Sequence, residues 1–157
     1  MADPYHSDDT VGEYFELYNC TDSNIYLDTW YYADDGGEKQ QLSGTIALYD
    51  FFVIVRNSEA PIEYDLVIPM VLANTSDEIK IYEGDPDDGG RLITAVYYND
   101  SNPFGSGVAC ELITIEGHDN GILGDSDFQG ATNLLSNGDK GSPSSLGSTP
   151  IRDWILY

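Results

Sequence analysis

The chain has 157 residues, with 28 acidic side chains against 6 basic ones, a formal net charge of −22, and two cysteines. That is the length of one domain, long enough to bury a core without a metal or disulfide framework. The basic residues Lys39, Arg56, Lys80, Arg91, Lys140 and Arg152 are scattered singly, so no basic stripe exists to neutralise phosphates, which excludes nucleic acid and anionic membrane surfaces as partners held by charge.

Disorder is excluded as well, because hydrophobic residues make up 41% and aromatics 12% of the chain, more apolar material than a solvated acidic coil carries. Self-repulsion at this charge is relieved by salt or by bound cations, so a saline setting or calcium suits the composition. The opening Met1-Ala2-Asp3-Pro4 lacks the order of a secretory leader, and no apolar run approaches the ~18 residues of a membrane-crossing helix. No membrane insertion is expected. Three N-x-Ser/Thr triplets, starting at Asn19, Asn74 and Asn99, tilt the expectation towards an extracellular or cell-surface protein whose leader is not part of this chain.

In chain order, residues 13–19 alternate, with Phe15 and Leu17 on one face and Tyr14, Glu16 and Tyr18 on the other, which predicts a half-buried strand. Residues 48–55 and 64–71 are almost continuously apolar, as strands near the middle of a sandwich are. Residues 79–83 and 112–116 alternate again, and 92–98, rich in Ile, Thr, Val and Tyr, predict a further strand. Turn clusters separate them: Asp34-Asp35-Gly36-Gly37, Asp85-Pro86-Asp87-Asp88-Gly89-Gly90, Asp119-Asn120-Gly121 and Asn137-Gly138-Asp139. No window predicts a helix of ordinary length. Short strands at this spacing point to an antiparallel β-sandwich. Residues 117–150, rich in Gly, Ser, Asn and Asp, predict a long irregular segment over the sandwich edge rather than a second domain, so 1–157 reads as one unit. The apolar end, residues 151–157, is expected to dock as a strand or in a groove.

Several pieces resemble one family. Gly12-Glu13-Tyr14-Phe15-Glu16-Leu17-Tyr18-Asn19, followed by Leu27-Asp28-Thr29-Trp30, is similar to the signature "G-E-[WFY]-[IVF]-E-L-Y-N … D-L-x-x-W" of the lamin tail domain. Later pieces keep the family's order: residues 72–82 resemble "L-x-N-x-G-D-x-[IV]-x-L-Y", 93–98 "D-x-V-x-Y", 109–113 "x-S-L-E-R" and 133–146 the closing "G-T-P-G-x-x-N". The resemblance implies an immunoglobulin-like β-sandwich and a noncatalytic interaction module, of the prokaryotic type appended to exported or surface proteins. Its partner would be a protein or a cell-envelope component. Prokaryotic members commonly open with a strand like "I-N-E-I-M-x-D-P", of which only Met1-Ala2-Asp3-Pro4 stands here. Residues 151–157, from this molecule or a neighbour, are expected to fill that edge, and pairing between edge strands would make a homodimer.

Candidate chemistry is sparse. Asp119, Asn120, Asp125 and Asp127 cluster in one loop, and Asp125-x-Asp127 is a spacing that turns two carboxylates towards one hard cation, so calcium is placed there if anywhere. The loop lacks the EF-hand order, and Asx turns explain the same residues. A calcium-binding adhesion-type domain is the alternative reading. His6 and His118 stand too far apart in sequence to make a zinc site with Cys20 and Cys110. The two cysteines close one predicted strand and open another, so a disulfide between Cys20 and Cys110 is open to them in an oxidising setting. Trp30 reads as a core anchor, and of Tyr31 and Tyr32 one must face out. No nucleophile elbow, phosphate loop or zinc-protease motif occurs, and residues 142–148 offer serines with no neighbouring histidine. A divergent hydrolase is the remotest reading.

Overall fold

The computed structural model describes residues 1–34, 36–98, 104–113 and 121–145. A single helical turn, α1 (Asp9–Gly12), precedes the strands β1 (Tyr14–Tyr18), β2 (Ile25–Tyr26), β3 (Trp30–Ala33), β4 (Lys39–Gln41), β5 (Thr45–Ile46), β6 (Phe51–Val55), β7 (Leu66–Val67), β8 (Asp77–Glu83), β9 (Arg91–Tyr98), β10 (Cys110–Leu112), β11 (Ile122–Leu123) and β12 (Phe128–Gly130). The chain is an all-β sandwich. One sheet has the order β1-β6-β7 and the other β11-β9-β8-β3-β4, with the small pairs β2-β5 and β10-β12 beside them. Pairing is antiparallel except at two edges, where the two-residue strands β7 and β11 run parallel to β6 and β9.

Alternation decides which side chains meet between the sheets. Phe15, Phe52 and Ile54 from the three-stranded sheet pack with Tyr32 and Ile81 from the five-stranded one, and Leu27, Leu42, Ile46, Ile68, Met70 and Leu72 complete the cluster. Phe15 and Tyr32 stack with ring centres 5.6 Å apart. Each large apolar side chain buried here contributes about 1.5–3 kcal/mol. Trp30 packs against this cluster while remaining half-buried, and Tyr32 is fully buried while Tyr31 is not.

The opposite face of the three-stranded sheet is covered too. Tyr14, Val53 and Val55 form a second cluster with Ala109 and Ala131, flanked by Met1, Ala60, Ile62 and Val108. Strand β6 is therefore buried on both sides, which is why its sequence reads as continuous rather than alternating. Part of the cover, Ala131, comes from the region expected to be irregular, while Val108 and Ala109 lead into β10. Among the described residues of that region, 121–145, the structure places β11, β12 and a 3-10 turn at Asp125–Asp127, and residues 131–145 are irregular apart from isolated bridges of Lys140 to Val108 and Leu134. β10 pairs Cys110 with Gly130 and Leu112 with Phe128, so the strand expected at 112–116 begins earlier, and its residues 114–116 lie outside the described ones. The strand expected at 64–71 shrinks to Leu66–Val67, because Pro69 has no N–H with which to extend the ladder.

The edge of β1 begins with the chain's own N-terminus. Met1 makes its first rung, donating its N–H to the Tyr14 carbonyl at 2.9 Å and accepting the Tyr14 N–H at 3.1 Å. Residues 151–157, assigned that edge from the sequence, lie outside the described residues.

Candidate functional site along the edge of β1

The residues that carry the family-like signature begin and end β1, and the structure gives each a mechanical task. A Cβ on Gly12 would lie 2.6 Å from Pro4 Cβ, so only glycine lets the N-terminal turn pack there. Glu13 is buried, and its Oε2 accepts the Arg56 guanidinium at 3.0 Å and the Leu72 N–H at 3.2 Å. Burial pushes its carboxyl above the ordinary value, against the pull of Leu72 and Arg56. At the far end the buried Asn19 amide donates to the carbonyls of Ser23, Ile46 and Ala47, while its oxygen accepts from the backbone and hydroxyl of Thr21. Asn19 thus ties the loop after β1 to the turn before β6, and its nitrogen is not free to carry a glycan. Of the other triplet asparagines, Asn74 is exposed with its amide donating to the Asp9 and Asp3 carboxylates, and Asn99 lies outside the described residues.

Between these ends, the hydrogen-bonding direction of β1 alternates. Glu13 and Asn19 exchange backbone bonds with Arg56 and Asp50 on the β6 side, so Phe15 and Leu17 face β6 and the backbone groups of Tyr14, Glu16 and Tyr18 point to the outer edge. Met1 takes the Tyr14 rung. Among the described residues no strand takes the rungs of Glu16 and Tyr18.

The side chains along that stretch grade from dry to open. Tyr14 is sealed in the second cluster. Glu16 Oε2 accepts the N–H of Ser144, itself held in the left-handed region at φ 60°, and the neighbouring Ser142 hydroxyl donates to the buried Glu111. Desolvation pushes the Glu16 carboxyl up to about 7, with the nearby Asp65 and Glu111 carboxylates adding to the rise and the Ser144 N–H and terminal amine opposing it. Tyr18 then meets Phe51 with ring centres 4.8 Å apart, beside a turn in which Leu48 and Tyr49 are each 50% exposed. Tyr49 sits at φ 54°, a left-handed conformation that costs a non-glycine residue roughly 1–2 kcal/mol. Desolvation raises the Tyr18 hydroxyl, and Cys20, Tyr49 and Asp50 add to it, which marks an electronegative corner.

The other sequence-derived candidates fall elsewhere. Asp127 turns its carboxylate back onto the Gly124 N–H at 2.8 Å, closing its own 3-10 turn, and Asp125 sits in the same turn; Asp119 and Asn120 lie outside the described residues. Among the described residues no group of three His, Cys, Asp or Glu side chains is close enough to share a metal ion. At the hairpin tip Asp85 accepts the Asp87 N–H, and both carboxylates bind Lys39, which keeps Asp85 below its ordinary range. The bridge between Cys20 and Cys110 is not formed: both thiols are free and exposed. The reason is position along β1, since Cys110 lies within electrostatic reach of the terminal amine at the Tyr14 end, whereas Cys20 follows the Tyr18 end, five residues of strand away. His6 is exposed with its ring edge-on to Tyr5 at 4.9 Å, and His118 lies outside the described residues.

One site residue had no sequence signal beyond turn chemistry. Asp139 is buried at 2% exposure and accepts the N–H groups of Tyr5 and His6 at 3.1 and 3.0 Å, fastening the N-terminal segment to the cover of the outer face. No family model, curated protein or solved structure matches the chain.

Proposed function

We propose that the chain is a noncatalytic interaction module of the lamin-tail-like, immunoglobulin-like kind, and that it takes an extended segment of a protein or cell-envelope partner along the outer edge of β1. The observation that carries the reading is the pair of outward backbone rungs at Glu16 and Tyr18, left without a described strand partner beside an exposed aromatic corner. Strand addition of this kind draws affinity from main-chain hydrogen bonds and specificity from alternate side chains. Two signature residues fit it by being occupied: Glu13 and Asn19 spend their polar groups holding the strand's ends. An exported or surface setting follows from the same resemblance.

Amide hydrogen exchange on the isolated protein tests the edge. The N–H groups of Glu16 and Tyr18 are expected to exchange quickly while those of Phe15 and Leu17 are protected. Slow exchange at all four would mean that the chain or a second copy already covers the edge, and the reading would fall. A substitution sharpens the test, since Glu16→Pro removes the outward donor, a loss that edge strands tolerate, together with the carboxylate that accepts the Ser144 N–H, a second loss that Glu16→Ala reproduces on its own. Glu16→Pro should abolish capture of an extended peptide that Glu16→Ala and Glu16→Gln still capture.

A further inference from the structure

The chain itself shows how its tyrosines and carboxylates are satisfied. Lys39 Nζ stands 5.8 Å over the Tyr31 ring while bonding Asp85 and Asp87, and Lys80 Nζ stands 5.7 Å over the Tyr97 ring while 3.5 Å from Glu78. Both distances fall inside the range in which a cation is held by the face of an aromatic ring. A third grouping of the same composition lies where β1 meets β6. Tyr18, Tyr49 and Phe51 supply rings there, Asp50 follows the strained Tyr49, and Asp22 rides on the loop that Asn19 binds to the same turn. The described ion pairs of Lys39, Arg56, Lys80 and Arg91 are all made with other carboxylates.

We infer that this corner is a seat for a lysine or arginine side chain carried by the partner segment that pairs with β1. The inference rests on the strand-addition reading and adds the chemistry of the recognised residue. Geometry favours it in three ways. The outward rung of Tyr18 brings any added strand directly past the corner. The Tyr18–Phe51 pair gives a half-buried aromatic wall, and the turn at Tyr49 holds a second tyrosine exposed in a conformation that an L-residue adopts only at a cost. A chain at net −22 attracts a cationic segment over its whole surface, whereas this corner adds rings beside a rung that no described strand takes.

Two synthetic hexapeptides, capped at both ends and alternating threonine with valine, test it, one with a central arginine and the other with glutamate at the same place. Binding is read by calorimetry and by amide protection at Tyr18. The arginine peptide should bind at least tenfold more tightly and protect the Tyr18 N–H, and Asp50→Asn or Tyr18→Ser should remove most of that advantage, with a melting temperature within a few degrees of the parent. Equal binding of both peptides with Tyr18 protected would overturn the cation seat and leave strand addition standing. Binding of the arginine peptide with Tyr18 unprotected, or unchanged by Asp50→Asn and Tyr18→Ser, would overturn the seat by showing diffuse charge attraction. If neither peptide binds or protects Tyr18, both readings fall.

Discussion

The two ends of β1 are built on opposite plans. At the Glu13 end every group is answered: Gly12 packs on Pro4, Glu13 bonds Arg56 and Leu72, Met1 takes the Tyr14 rung, and Tyr14 is sealed beneath Ala109 and Ala131. At the Tyr18 end, Tyr49 is half exposed, no described strand takes the backbone rung, and the adjoining turn is strained. A five-residue strand cannot be both a sealed core element and a docking edge along its whole length, and the strand-addition reading assigns the two tasks to its two halves. Substitutions in the first half should register as stability, those in the second as binding.

The largest contrast is expected between Phe15 and Tyr18. Phe15→Ala removes a ring from the centre of the inner cluster and should cost about 3–5 kcal/mol in urea unfolding. Tyr18→Ala, three residues on, should cost about 1 kcal/mol or less, because its ring already meets solvent. Equal costs would break the division. Glu13→Ala comes next. It strands the Leu72 N–H and leaves Arg56 without its carboxylate, for an expected loss of about 3 kcal/mol. Glu13→Gln keeps an acceptor for Leu72 and should lose about half as much.

Those pairs also explain what the sequence could and could not reveal. β1, β6, β8 and β9 were legible because five to eight residues of alternation or continuous apolar character outweigh local noise. The two- and three-residue strands β2, β4, β5 and β7 are too short to carry a period, and their existence depends on neighbours that fix their register. The roles of Glu13 and Asp139 were hidden for a different reason. Glu13 meets Leu72 across 59 positions and Asp139 meets Tyr5 across 134, so no window of sequence contains both partners. The acid clusters read ambiguously for the converse reason: Asp85 and Asp127 answer backbone amides within their own turns, and Asp85 and Asp87 bind Lys39 from β4, so turn-building and an ion pair account for these three. The net charge of −22 argues against partners held through their phosphates, and by itself it locates no site.

A third prediction probes the middle of β1 through pH. Glu16 holds its proton up to about 7 in the folded chain against an ordinary 4.5, so the native state binds more protons than the unfolded one between those values. Stability therefore falls as pH rises from about 4.5 through about 7, and the loss is complete above the upper value. The side chain keeps some solvent contact, which screens the effect to on the order of 1 kcal/mol. Glu16→Gln retains an acceptor for the Ser144 N–H and should flatten that part of the curve, leaving the protein more stable than the parent at pH 8 but not at pH 4. A parent profile that rises through this window would mean that Glu16 is better solvated than its place beneath Ser144 implies.

The smallest effect is expected at Tyr49, and it is the one that separates fold from function most cleanly. Glycine adopts the left-handed region without the Cβ clash that tyrosine suffers there, so Tyr49→Gly relieves roughly 1–2 kcal/mol of native strain. It also frees the unfolded chain, which returns about 0.5–1 kcal/mol of the gain. The net should be a protein as stable as the parent or slightly more so, by about 0.5–1 kcal/mol in urea. Tyr49 is half exposed and absent from both buried clusters, so the packing lost with its ring is small. A residue whose removal stabilises the fold is kept for something other than the fold, and the arginine-bearing peptide should lose affinity for Tyr49→Gly even as the melting temperature holds or rises. A clear fall in stability would instead assign Tyr49 a structural contact and remove the strained turn from the case for a docking corner.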